Sequence, residues 1–198
     1  MKLIDDKLGG TTPLDIIIKF PTIKKLEDKN DDWEEDNGEN EKYWFTRNKI
    51  DKINSVHNYL DSIPEIGKVL SFASIIRVVE DLNDNKKLQS LEMGVLYSKI
   101  PESVKKEIIN PYISIKNNEA RISIRVKDSL KNLRRNELIK KIKSDLNVKL
   151  GLNQNEYKLA GVLILFNNLL QSLFKSQILT LGFVMIGDRK STRLNSSH

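Results

Sequence analysis

The chain has 198 residues, enough for one ordinary domain or two small ones, and 39% hydrophobic with 30% charged residues is the composition of a folding, water-facing protein. Cysteine is absent and the two histidines are His57 and His198, which excludes disulfides, thiolate zinc sites and cysteine nucleophiles and leaves little for a Ser-His-Asp arrangement. Met1 to Asp6 reaches acidic residues before any apolar stretch, unlike a secretory signal, and the formal charge of +6 is modest.

Leu3 to Leu8 reads as the end of a preceding helix stopped by Gly9 and Gly10, so residues 1–12 form a helix end and turn. Leu14 to Phe20, β-branched and bounded by Pro13 and Pro21, predicts a first strand. Residues 27–42 carry nine acids against Lys29 and Lys42; without the ligand spacing of an EF-hand they read as a solvated acidic loop. From Thr46, a candidate N-cap, Ile50, Ile53, Val56, Tyr59 and Leu60 recur at helical spacing. Pro64 to Gly67 breaks that helix, and Lys68 to Phe72 predicts a second strand.

Residues 74–110 form a helical insertion, in pieces at 74–83, 88–99 and 102–109, closed by Pro111. Glu119 to Lys127 alternates, with Ala120, Ile122, Ile124 and Val126 on one face and Arg121, Ser123, Arg125 and Lys127 on the other, the pattern of a half-buried strand. Leu130 to Leu150 predicts a helix that turns Leu138, Ile139, Ile142 and Leu146 inward and ends at Gly151. Tyr157 to Val162 is the fourth strand, feeding a long helix from about Leu163.

Without the insertion and the acidic loop the order is β-α-β-β-α-β. That predicts an α+β, ferredoxin-like module over residues 13–162, an antiparallel sheet with both helices on one face.

The terminal helix carries Asn167, Asn168, Gln171, Ser172 and Lys175, then runs uncharged to Gly187. Residues 163–187 therefore read as the start of a transmembrane helix, truncated at Gly187. Asp188 to His198 is polar and aperiodic and coincides with the in-frame translation of a sequencing adapter; set aside as a scar, it lowers the net charge from +6 to +4.

Candidate chemistry is sparse. Gly9, Gly10, Thr11 and Thr12 lie between a helix and a strand, the reverse of a phosphate-cradling P-loop, so a plain turn is the simpler reading. Arg134, Arg135, Lys140, Lys141, Lys143 and Lys149 give one helix a basic face, but Glu137 and Asp145 interrupt it and no aromatics interleave for base stacking. It reads as a solvated face, open to a neighbouring module or anionic headgroups. His57, beside Val56, Tyr59 and Asp61, reads as structural. No catalytic, cofactor-binding or metal-binding residue is assigned, no cofactor is expected, and the chain is read as non-enzymatic.

Four segments in order resemble one family: Leu8 to Ile18 with its Gly-Gly-Thr, His57 to Ser71 with Pro64, Ile66, Gly67, Lys68 and Val69, the arginine-bearing strand Ala120 to Val126, and Gly161 to Gly187. Together they look like an extracytoplasmic porter loop of RND-type exporters of the MMPL-like branch, over roughly residues 1–187. The resemblance implies a segment, mostly periplasmic, of a proton-driven bacterial inner-membrane exporter. Such exporters move lipids or hydrophobic compounds outward, with the second loop the nearer match. Implied partners are the other porter module and membrane spans of the same transporter, the lipid bilayer and a lipid or hydrophobic substrate, with a homo-oligomer possible and no nucleic acid. The family's proton-relay acids lie in spans outside this sequence, so no functional residue carries over. The acidic loop at 27–42 departs from the shorter connection the family implies. The rival readings are a soluble ferredoxin-like binding module, with nucleic acid as its candidate ligand and its final helix packed on its own sheet, and a small enzyme whose site assembles only in three dimensions.

Overall fold

A computed structural model of the protein describes residues 2–21, 44–84, 86–131 and 133–195; the acidic segment 27–42 lies outside the described residues. The elements run α1 (Lys2–Leu8), β1 (Thr12–Lys19), α2 (Arg47–Asp61), β2 (Ile66–Leu70), α3 (Phe72–Leu82), α4 (Ser90–Lys99), α5 (Glu102–Val104), β3 (Ile113–Ser114), β4 (Glu119–Val126), α6 (Arg135–Val148), β5 (Tyr157–Ala160) and α7 (Val162–Asn195). After α5 the chain widens into a π-turn over Lys105–Ile109, in which Asn110 N–H donates to the Lys105 carbonyl.

The protein is α+β, built on a five-stranded antiparallel sheet of order β2-β4-β1-β5. The short β3 lies against β4 at Ala120 and Glu119, on the same flank as β2. Alternation explains the layering. Leu14, Ile16 and Ile18 of β1 and Ala120, Ile122, Ile124 and Val126 of β4 are buried, while Lys19, Arg121 and Arg125 face outward. Ile50, Ile53, Val56 and Leu60 of α2 and Leu138, Ile139, Ile142 and Leu146 of α6 complete the same core. Tyr59 of α2 donates to Asp145 Oδ2 of α6 at 2.7 Å, tying the two helices side by side. On the opposite, open face Arg121 pairs with Asp15 at 2.8 Å and Lys19 with Glu119 at 3.4 Å.

A chain of rings closes one end of the core. Phe20 meets Trp44, Trp44 meets Phe45, and Phe45 meets both Phe72 and Tyr97, with centroids 4.6–5.8 Å apart. Tyr97 and Met93 thereby anchor the α3–α4 insertion to the sheet.

Several predicted boundaries shift for identifiable reasons. The second strand ends at Leu70 rather than Phe72, because Ser71 caps α3: its Oγ accepts from Ala73 N–H at 3.1 Å, and Phe72 becomes the first helical residue. The first strand starts at Thr12 and contains Pro13. By the alternation of the ladder, the N–H that Pro13 lacks would point toward β5, which begins no earlier in register than Ala160 opposite Asp15, so no bond is forfeited. The fourth strand ends at Ala160 because Gly161, at φ +111°, turns the chain into α7. The sixth helix is shorter than predicted, starting at Arg135, and β3 is an additional strand.

Candidate functional site

The feature that sets this protein apart from a plain sheet-and-helix domain is α7, and its root is built tightly. A β-carbon on Gly161 would stand 3.0 Å from the Pro13 carbonyl oxygen and 3.3 Å from Leu14 Cα, so the turn from β5 into α7 lies directly on the β1 backbone. Leu163 is fully buried beside it and Ile164 packs against the core.

Beyond that first turn the helix leaves the body. Leu165, Phe166, Leu169, Leu170, Leu173 and Phe174 are each at least 42% exposed, and Ile178, Leu181, Phe183 and Met185 at least 65%. Val162–Met185 is 24 residues long, with a mean hydropathy of 1.2 in its most apolar window. At 1.5 Å per residue it measures about 36 Å, against about 30 Å for a bilayer core. Asn167, Gln171 and Lys175 follow one another at i, i+4, with Asn168 and Ser172 alongside, so the first half carries a polar stripe; past Lys175 the helix is uncharged as far as Met185, with Ser176, Gln177 and Thr180 as its polar side chains. Leaving such a surface in water is costly, at roughly 25 cal/mol per Å² of apolar area. The helix is continuous through Asn195.

The chain enters and leaves the sheet at the same end. β1 starts at Thr12 and β5 finishes at Ala160, and the two strands are antiparallel neighbours, so α1 and α7 join the sheet at that one end. The α1–β1 turn is as tight as that of α7. Gly9 and Gly10 adopt φ +67° and +105°, and a β-carbon on Gly10 would stand 2.8 Å from the Arg125 carbonyl group. Gly9 also meets the Gly67 backbone of β2. Asp5, buried in α1, accepts from Ser129 N–H at 2.6 Å, and hydrogen bonding from Thr11 and Ser129 holds its carboxyl below the usual carboxylate range. The Gly-Gly-Thr segment is thus a helix-to-strand turn.

The other residues singled out in the sequence are spread over the fold. His57 is buried on α2 with Nδ1 2.9 Å from Ser71 Oγ, so it braces the α3 cap; burial, then Arg77, push its pKa down. On α6, Arg134 pairs with Glu137, Arg135 with Asp128 in a two-bonded fork, and Lys149 with Asp145. Half of the basic face is therefore neutralised locally. Lys140, Lys141 and Lys143 have no ion pair among the described residues. The described residues hold no group of three or more histidine, aspartate and glutamate side chains placed to share a metal ion.

Two concavities went unread in the sequence. One, of about 580 Å³, lies between α3 and α4 and is walled by Val79, Leu82, Leu88, Leu91 and Val95. The other, of about 520 Å³, lies between α6, the edge strand β5 and the first turn of α7. Neither has a linear signature, since each collects residues from separate elements.

No protein-family model, curated protein or solved structure matches the chain.

Proposed function

We propose that this chain is an extracytoplasmic porter module of an RND-type exporter of the MMPL-like branch, a ferredoxin-like β-α-β-β-α-β unit suspended from a membrane by α7 and moving lipids or hydrophobic compounds outward with its partner module. The observation that carries the reading is the exposed apolar surface of α7, which is long enough to cross a bilayer and has only its root packed on the sheet. A helix folded back on its own sheet would have buried that surface.

Three further features support it. The strand order β5-β1-β4-β2, antiparallel throughout, is that of a split β-α-β pair with α2 and α6 on one face. The common end for α1 and α7 suits a module whose two connections reach the same membrane surface. The glycine-packed roots at Gly10 and Gly161 join both helices to β1 and β4 without a flexible linker, so tilting of a span is passed to the sheet. In this reading the module acts by moving as a stiff body and carries out no covalent chemistry.

Flotation of the full chain with phosphatidylcholine vesicles, followed by protease digestion, tests the anchor. The expected result is co-flotation with residues 162–185 protected; a chain that stays at the bottom of the gradient, or is digested throughout α7, removes the membrane reading. The exporter assignment is tested by the surrounding reading frame, which should encode further apolar spans. A frame that is hydrophilic on both sides leaves a soluble module.

A further inference from the structure

The 520 Å³ cavity at the root of α7 has two chemically distinct sides. Lys143, Ser144 and Asn147 of α6, Gln154 of the following loop and Lys158 of β5 supply a polar wall, and Leu159 and Ile164 an apolar one. Among the described residues no carboxylate lines it and neither lysine has an ion pair. The nearest acids in sequence are occupied elsewhere, Glu156 by Lys52 at 3.1 Å and the Asn153 amide groups, and Asp145 by Lys149 and the Tyr59 hydroxyl. Asn147 Oδ1, a buried acceptor without a hydrogen-bond partner among the described residues, asks for a donor and takes no part in holding an anion.

The backbone adds donors. Lys19 N–H bonds to the Glu156 carbonyl, and alternation along the β1–β5 ladder turns the peptide groups of Tyr157 and Leu159 away from β1, along the sheet edge that borders the cavity. Two ammonium groups and a hydroxyl, with amides and edge peptide groups that offer N–H donors beside carbonyl acceptors, surround a space whose formal charge is positive, and the ammonium groups are what an anionic oxygen cluster requires. Ile164, on the apolar side, lies in the first turn of α7, the helix whose surface from Leu165 onward is exposed and hydrophobic.

From this juxtaposition we infer that the cavity binds the phosphate headgroup of an anionic phospholipid, with Lys143 and Lys158 holding the phosphate and the acyl chains lying along α7. The inference rests on the membrane reading of α7 and adds to it a lipid preference located at two lysines. A lipid held there sits against β5 and α6 together, so it also braces the joint through which α7 meets the sheet.

The experiment measures partition of the full chain onto vesicles of phosphatidylcholine and onto vesicles in which a third of the lipid is phosphatidylglycerol. The ratio of the two partition coefficients reads the site. Wild type should favour the anionic vesicles. Lys143→Gln with Lys158→Gln should cut that ratio at least roughly tenfold, since each change removes a charge-assisted hydrogen bond to the phosphate. Lys140→Gln with Lys141→Gln, on the same helix but outside the cavity, should change it less than twofold, with thermal unfolding of both variants matching wild type. A wild-type ratio near one, an undiminished ratio in the first variant, or equal losses in both pairs (diffuse attraction) overturns the inference. Erasure of the preference by inorganic phosphate at matched ionic strength also overturns it, since the site would then be one for free phosphate. Binding to neutral vesicles without an anionic preference refutes the lipid site alone. Anionic preference lost in the first variant, with no neutral binding, refutes the span alone; binding to neither vesicle refutes both.

Discussion

Single positions in this protein are constrained by backbone proximity more than by side-chain chemistry. Gly161 has a positive φ and no room for a β-carbon above Pro13, so Gly161→Ala should destabilise the fold by about 1–3 kcal/mol, read as a shift in chemical denaturation midpoint. Gly10→Ala should cost at least as much, because its β-carbon would stand 2.8 Å from the Arg125 carbonyl group, closer than the 3.0 Å approach at Gly161. Tyr59→Phe removes the hydroxyl donor to Asp145, a carboxylate that this bond and Lys149 keep below its usual range; a loss of about 1–2 kcal/mol is expected in the same measurement. His57 titrates in the opposite sense to a paired histidine. Its folded-state pKa lies below the ordinary 6.5, so its neutral form belongs to the fold, and its stabilisation is complete above that value and lost progressively as pH falls beneath it. His57→Gln should flatten the stability profile in that window, measured by thermal unfolding across a pH series.

Among the elements, α7 and α6 show what a linear pattern does and does not disclose. The apolar run after Lys175 is visible in sequence, but its exposure is not, since a buried terminal helix has the same composition. Two lysines at the middle of Val162–Met185, Leu173→Lys with Phe174→Lys, should abolish flotation with neutral vesicles, each costing about 3 kcal/mol at mid-bilayer while leaving the sheet intact, since both side chains are exposed. The basic face of α6 was also readable, but its internal neutralisation was not: Asp128, which holds Arg135, precedes the helix, and Asp145 serves both Lys149 and Tyr59. The inward positions of α2, β4 and α6 followed directly from periodicity, because each element buries one face against one layer. Periodicity failed at Ser71 and Phe72, where a cap bond outweighed an apolar run, and at Trp44 and Phe45, whose place at the ring cluster depends on partners as distant as Tyr97.

At the scale of the whole molecule, stability should decline in two stages with acidity. His57 contributes the first, beginning below 6.5. Asp5, Asp145 and Glu156 contribute the second. Hydrogen bonds from Thr11, Tyr59 and Lys52 respectively lower these carboxyls from ordinary values of 3.8, 3.8 and 4.5. Their stabilisation is therefore complete above the ordinary values and disappears as pH passes downward through the folded ones, so a circular-dichroism melt series should show a shallow slope followed by a steep one. The three carboxyls link α1 to the chain after β4, α2 to α6, and α2 to the β5 edge, so acid loosens joints between elements before it reaches the apolar interior.

The shared end of β1 and β5 has a mechanical side. A load drawn along β5 through α7 acts lengthwise on the ladder it forms with β1, and every rung resists at once, as in a lap joint. A load that spreads α1 from α7 instead works on the rungs nearest Asp15 and Ala160 first, opening the seam like a zip. The same junction is thus stiff to axial traction and compliant to splaying.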